Sequence, residues 1–80
     1  MDRAEVYERL TEVFRDIFDD QSIEISDATT AKDIDGWDSL SHISLLEGAE
    51  DEFDIHFDMK AIQKLKNVGE MVDLIQELAG

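Results

Sequence analysis

Asp35-Gly36-Trp37-Asp38-Ser39-Leu40 marks the point where the chain leaves a long irregular segment and enters a helix. Asp38 is a strong N-cap residue, and the residues after it carry apolar side chains at helical spacing: Leu40, Ile43, Leu46, Ala49 and Phe53, or their immediate neighbours. Ser39 therefore falls in the first turn, with its hydroxyl exposed beside unpaired backbone N–H groups and the positive end of a helix dipole, where an anionic phosphodiester would be favoured.

Upstream of the hexapeptide, Asp19 to Asp38 has no periodicity and is rich in Asp, Ser and Thr. Connections of this length are uncommon in compact domains, and Ile23, Ile25 and Ile34 supply anchors that predict an ordered loop. Before it, Val6, Leu10, Val13, Phe14, Ile17 and Phe18 recur every three or four residues, which predicts an amphipathic helix from Asp2 to Phe18 with Asp2 as cap and Tyr7 beside the stripe. Downstream, the second helix should end near Phe53. Asp58 then caps a short piece carrying Met59, Ile62 and Leu65, and Asn67 caps a last helix through Val68, Met71, Val72, Ile75 and Leu78. Strand-like alternation is confined to Ile55-His56-Phe57, and no proline interrupts any helix. The expected fold is all-α: a four-helix bundle with three longer helices, one short third helix and a long first loop, residues 1–80 forming a single domain.

Composition narrows the function. Eighty residues, 42% of them hydrophobic, support one thin core and no deep enzyme cleft. Seven Lys and Arg against 21 Asp and Glu leave a net charge of −14, which repels nucleic acid and anionic membranes and favours partners with basic patches. The absence of cysteine excludes disulfides, thiolate catalysis and Cys-ligated zinc. Met1-Asp2-Arg3 opens no signal-like apolar run and no stretch approaches a membrane span, so a cytoplasmic monomer without membrane insertion is expected. From Asp33 to Met59 there are nine acids and neither Lys nor Arg, which makes the second helix the acidic face. Asp33, Asp35, Gly36 and Asp38 raise a calcium loop as a rival, but setting Gly36 at its sixth position puts Ala31 first and His42 twelfth, where acids are required. No metal site is expected.

Asp38-Ser39-Leu40, with the loop before it, the acidic helix after it and Glu50-Asp51-Glu52-Phe53 at that helix's end, resembles the signature of acyl carrier proteins. The resemblance follows residues 2 to 78 in pattern and 35 to 57 in residue type. It implies that Ser39 receives 4′-phosphopantetheine from coenzyme A through a phosphopantetheinyl transferase, and that the arm holds acyl groups as thioesters for enzymes of fatty acid, lipid or polyketide synthesis. The chain would be a substrate of these acyl-loading and acyl-transferring enzymes, with no catalytic residue of its own. Asp38, Leu40, Ile43, Glu47, Glu50 and Asp51 are the implied docking set; Leu46, Phe53, Ile62 and Leu65 are the residues between which an acyl chain would enter.

The sequence departs from housekeeping carriers at Ser41 and Ser44, where acids are usual, at Glu47, where an apolar residue is usual, and at Trp37, where a small one is. Gly48 inside the helix costs up to about 1 kcal/mol relative to Ala. His42, on the same helical face as Ser39, reads as a docking or capping group rather than a general base. Trp37 reads as a core plug or an exposed docking aromatic, and His56 as a solvated loop residue. A peptidyl or D-alanyl carrier, and an unmodified acidic interaction bundle, are the alternative readings.

Overall fold

A computed structural model describes residues 1–63 and 65–79, and its elements follow in the order α1 (Arg3–Phe18), a single 3-10 turn (Ala31–Asp33), α2 (Ser39–Phe53), α3 (Met59–Ile62) and α4 (Val68–Ala79). No strand occurs among the described residues. The extensive helix pairs are α1 with α2 and α1 with α4, so α1 is the helix on which both others close. It buries Val6, Leu10, Val13 and Phe14 against Leu45, Leu46, Ala49 and Phe53 of α2 and Val68, Met71, Val72 and Ile75 of α4.

The helix ends follow local chemistry. Asp2 accepts from Glu5 N–H at 2.9 Å to start α1, Asp58 accepts from Lys60 N–H at 3.1 Å to start α3, and Asn67 accepts from Glu70 N–H at 2.8 Å to start α4. Both α1 and α2 end in a left-handed aspartate, Asp19 at φ 51° and Asp54 at φ 53°, which tolerates this region better than most non-glycine residues. Gly48 has a packing reason: a Cβ there would lie 3.0 Å from Val13 Cγ1, so the bare backbone lets α1 and α2 approach.

The long loop is ordered, as its isoleucines predict. Ile23 and Ile34 are buried and Ile25 packs on the core. Arg15 Nε donates to Ile23 O at 3.0 Å, and the start of α4 holds the loop through Val68 N–H to Thr29 O at 2.8 Å and Gly69 N–H to Asp27 O at 3.1 Å. Arg3 ties the same region together with ion pairs to Asp27 at 2.7 Å and Asp73 at 2.6 Å, while Tyr7 OH also donates to Asp27. The bond from Tyr7, and then that from Arg3, holds the Asp27 carboxyl below the usual carboxylate range. Burial, reinforced by Asp27, pushes the Tyr7 phenol up to about 12.

Three expected stripes need correction. Leu40 is 79% exposed and Ile43 55%, so the core side of α2 runs instead through Leu45, Leu46, Ala49 and Phe53. Met59 and Leu78 are likewise exposed, and α3 is a four-residue turn that ends before Leu65. The reason is geometric: apolar residues recurring over a wide arc of α2 include some on the flank that neither α1 nor α4 covers.

Candidate functional site

Ser39 is the first residue of α2 and is exposed. A turn delivers the chain to it: Gly36 sits at φ +85°, a conformation that favours glycine, and Trp37 N–H donates to Ile34 O at 3.3 Å. Asp38 then caps the helix, its Oδ1 accepting from Leu40 N–H and Ser41 N–H, each at 3.0 Å. Ser41 answers by accepting from Asp38 N–H at 2.8 Å, and its hydroxyl lies 2.8 Å from Gly36 O as donor. A carboxylate at position 41 could accept from Asp38 but could not donate to Gly36, which gives the serine there a structural purpose. The bond from Ser41 N–H is the main cause that holds the Asp38 carboxyl below the usual range.

None of these capping bonds uses Ser39 Oγ, and among the described residues the hydroxyl has no hydrogen-bond partner. The geometry also corrects one expectation. The first-turn N–H groups of Leu40 and Ser41 are satisfied by Asp38, and an anion on Ser39 would be favoured by the helix dipole rather than by these donors.

Beside Ser39 opens a cleft of about 330 Å³, walled by Trp37, His42, Leu65, Asn67 and Met71. This is the lower end of ligand-sized cavities. Trp37 is half-buried, with its ring edge-on to Phe14 at 5.3 Å and tilted against Phe18 at 6.2 Å, so it works both as a plug over α1 and as cleft wall. On its other side it stacks on His42, ring centroids 5.9 Å apart and planes 22° from parallel, and Trp37 Nε1–H donates to His42 Nδ1 at 3.1 Å. Burial pushes the His42 imidazole below its ordinary value, and since indole can only donate, Nδ1 is the unprotonated nitrogen.

Of the proposed acyl-pocket residues only Leu65 lines this cleft; Leu46 and Phe53 are buried in the core and Ile62 is half-buried against it. Among the proposed docking residues, Asp38, Leu40, Ile43, Glu47 and Asp51 are exposed. Glu50 differs: its Oε2 accepts from Phe57 N–H at 2.7 Å and lies 3.2 Å from His56 Nδ1, so it braces the turn after α2. His56 itself is solvated, with 93% of its side chain exposed. Glu52 is drawn to α1 by Arg9 Nε at 2.8 Å.

Residues 8–75 match the family described as the phosphopantetheine attachment site. The mitochondrial acyl carrier protein of Saccharomyces cerevisiae is 37% identical over 81 residues, covering 94% of this chain, which spans 63% of that longer protein. The acyl carrier protein of Phenylobacterium zucineum is 30% identical over 77 residues, 96% of this chain and 98% of that one. The solution structure of holo acyl carrier protein from Geobacter metallireducens is 45% identical and superposes with a TM-score of 0.86, covering 91% of this chain and 84% of that one.

The chain belongs to the acyl carrier protein family. Its domain is a carrier rather than a catalyst, and the group such a domain bears covalently is 4′-phosphopantetheine. The residues present fit that group: an exposed serine with a free hydroxyl opens a helix, and an apolar-walled cleft adjoins it. Sequence reasoning missed His42 and Met71 as cleft walls. Met71 looked like any core residue of α4, and the Trp37–His42 pairing crosses the loop-to-helix junction, where neither helical nor strand spacing applies.

Proposed function

We propose that this acyl carrier protein bears its 4′-phosphopantetheine on Ser39 Oγ and presents acyl groups to enzymes of fatty acid, lipid or polyketide synthesis. The observation that carries the reading is the free, exposed hydroxyl at the first position of α2, left out of the capping network and adjoining the cleft.

In the loading step Ser39 Oγ attacks the pyrophosphate of coenzyme A: a new P–O bond forms, the P–O–P bridge breaks, and the adenosine 3′,5′-bisphosphate half leaves. The hydroxyl proton goes to a base of the phosphopantetheinyl transferase. Asp38 is unsuited to that task, because its carboxyl is engaged by two backbone N–H groups and held in its ionised form. His42 Nδ1 is occupied by Trp37. Once attached, the arm supplies a thiol on which an acyl group is carried as a thioester.

Partner recognition follows from the surface of α2. Leu40 and Ile43 stand exposed near Ser39, and Glu47 and Asp51 follow toward the far end. A matching enzyme carries an apolar socket near its active-site mouth and basic residues farther out, and the net charge of −14 speeds its approach at low salt. The working form is a cytoplasmic monomer, and no described helix is long and apolar enough to cross a membrane.

Intact-mass spectrometry tests the attachment. Incubation with coenzyme A and a broad-specificity phosphopantetheinyl transferase gives one covalent adduct on the wild type and none on Ser39→Ala. Persistence of the adduct in Ser39→Ala would move the site elsewhere.

A further inference from the structure

The wall of the cleft beside Ser39 carries a hydrogen-bonded ring pair. Trp37 Nε1–H donates to His42 Nδ1 at 3.1 Å, and the two rings stack at 5.9 Å. An imidazole that accepts at Nδ1 in its neutral form carries its proton on Nε2. His42 thus has one donor left over, and its ring borders a cleft whose other walls include the apolar side chains of Trp37, Leu65 and Met71. Trp37 itself packs edge-on against Phe14, which is fully buried, so the pair rests on the core.

We propose that Trp37 positions His42 so that its Nε2–H bonds the carbonyl oxygen of a thioester-linked acyl group while the apolar remainder of that group rests against Trp37, Leu65 and Met71. This rests on Ser39 being the attachment point. An acyl group offers an acceptor for the spare donor and a short apolar body for the walls. A free thiol offers neither. His42 is therefore the recognition residue and Trp37 its positioning residue.

Trp37 is the only tryptophan, so its indole N–H reports on the cleft directly. The apo protein is loaded by the transferase with coenzyme A or hexanoyl-coenzyme A, and intact mass establishes loading before any spectrum is recorded. A missing adduct overturns Ser39 as the attachment point and this proposal with it, whereas a confirmed adduct with unmoved spectra overturns this proposal alone. In ¹H–¹⁵N spectra the indole resonance of the hexanoyl form shifts from its position in the apo protein, whereas that of the holo form does not. In the wild type, the His42 ring nitrogens show Nδ1 unprotonated and Nε2–H moving on hexanoyl loading.

His42→Phe keeps a stacked ring but removes the donor, and the ratio of seated to released acyl chain falls by about fivefold, the loss of one modest hydrogen bond. His42→Gln, which can accept from indole and still donate, recovers most of it. An unchanged ratio in His42→Phe, or a His42 Nε2 signal indifferent to loading in the wild type, overturns the proposal. A shift of equal size in the holo form also overturns it, by assigning the contact to an amide carbonyl of the arm.

Discussion

The two ends of the molecule are built to opposite rules. Around Phe14, the residues Leu10, Leu45, Val72 and Ile75 are sealed from solvent, and each is covered by a neighbouring helix. Around Ser39, Leu40 is 79% exposed and a cleft reaches in as far as Met71, and α3, only one turn long, leaves Met59 71% exposed. A thin bundle of 80 residues buries its stability in one half and leaves the other half open to an arm and its partners. Trp37 joins the halves, packing on Phe14 below and His42 above.

The contrast is tested most sharply by truncating one large apolar residue on each side. Phe14→Ala should cost about 3 to 5 kcal/mol in chemical denaturation, because a fully buried ring leaves a cavity. Leu40→Ala should change stability by no more than about 0.5 kcal/mol while slowing modification by the transferase, since its side chain already faces water. A large loss of stability from Leu40→Ala would erase the distinction.

At the junction, Trp37→Phe keeps an aromatic ring but deletes the donor to His42. A loss of about 1 kcal/mol is expected, with the indole-linked tautomer of His42 no longer fixed in its ring ¹⁵N shifts. Asp54→Gly acts on the sealed side's helix ends: it relieves a left-handed non-glycine residue and removes a negative charge from the negative end of α2. Thermal unfolding should show a gain of about 0.5 to 1 kcal/mol.

The smallest effect is the pH dependence of the open side. Burial holds the His42 imidazole below its ordinary value of 6.5, so between the two values the unfolded chain binds more protons than the folded one. Its contribution is complete above 6.5 and is lost as pH falls through the folded value. Wild type should therefore lose stability relative to His42→Gln as pH drops from 6.5 toward the folded value, with no further difference below it. Comparing the two proteins cancels the shared effect of neutralising a chain of net charge −14.

Much of this architecture was legible before any coordinates. Asp2, Asp38, Asp58 and Asn67 announced the helix starts because capping is a contact between a side chain and a backbone N–H two or three residues away. Ser39 at the mouth of α2, the loop pinned by Ile23 and Ile34, and the acid-rich second helix follow from equally local patterns. The sequence also marked Gly48 as a weak point, and only the fold shows that a Cβ there would lie 3.0 Å from Val13 Cγ1.

The residues proposed for the acyl pocket and for docking do not form uniform sets in the fold. Leu46 and Phe53 share the composition of a lining but are occupied as core, and Glu50 looked like its neighbours Glu47 and Asp51 until Phe57 N–H claimed it. Residue order alone sets helix boundaries, caps and the exposed serine, because those depend on neighbours within one turn. Whether Leu40 faces water, whether Glu50 faces inward, and that Trp37 meets His42 above Phe14 depend on which helix packs on which flank. Those contacts join residues far apart in the chain or across a change of backbone geometry, and only the folded bundle brings them together.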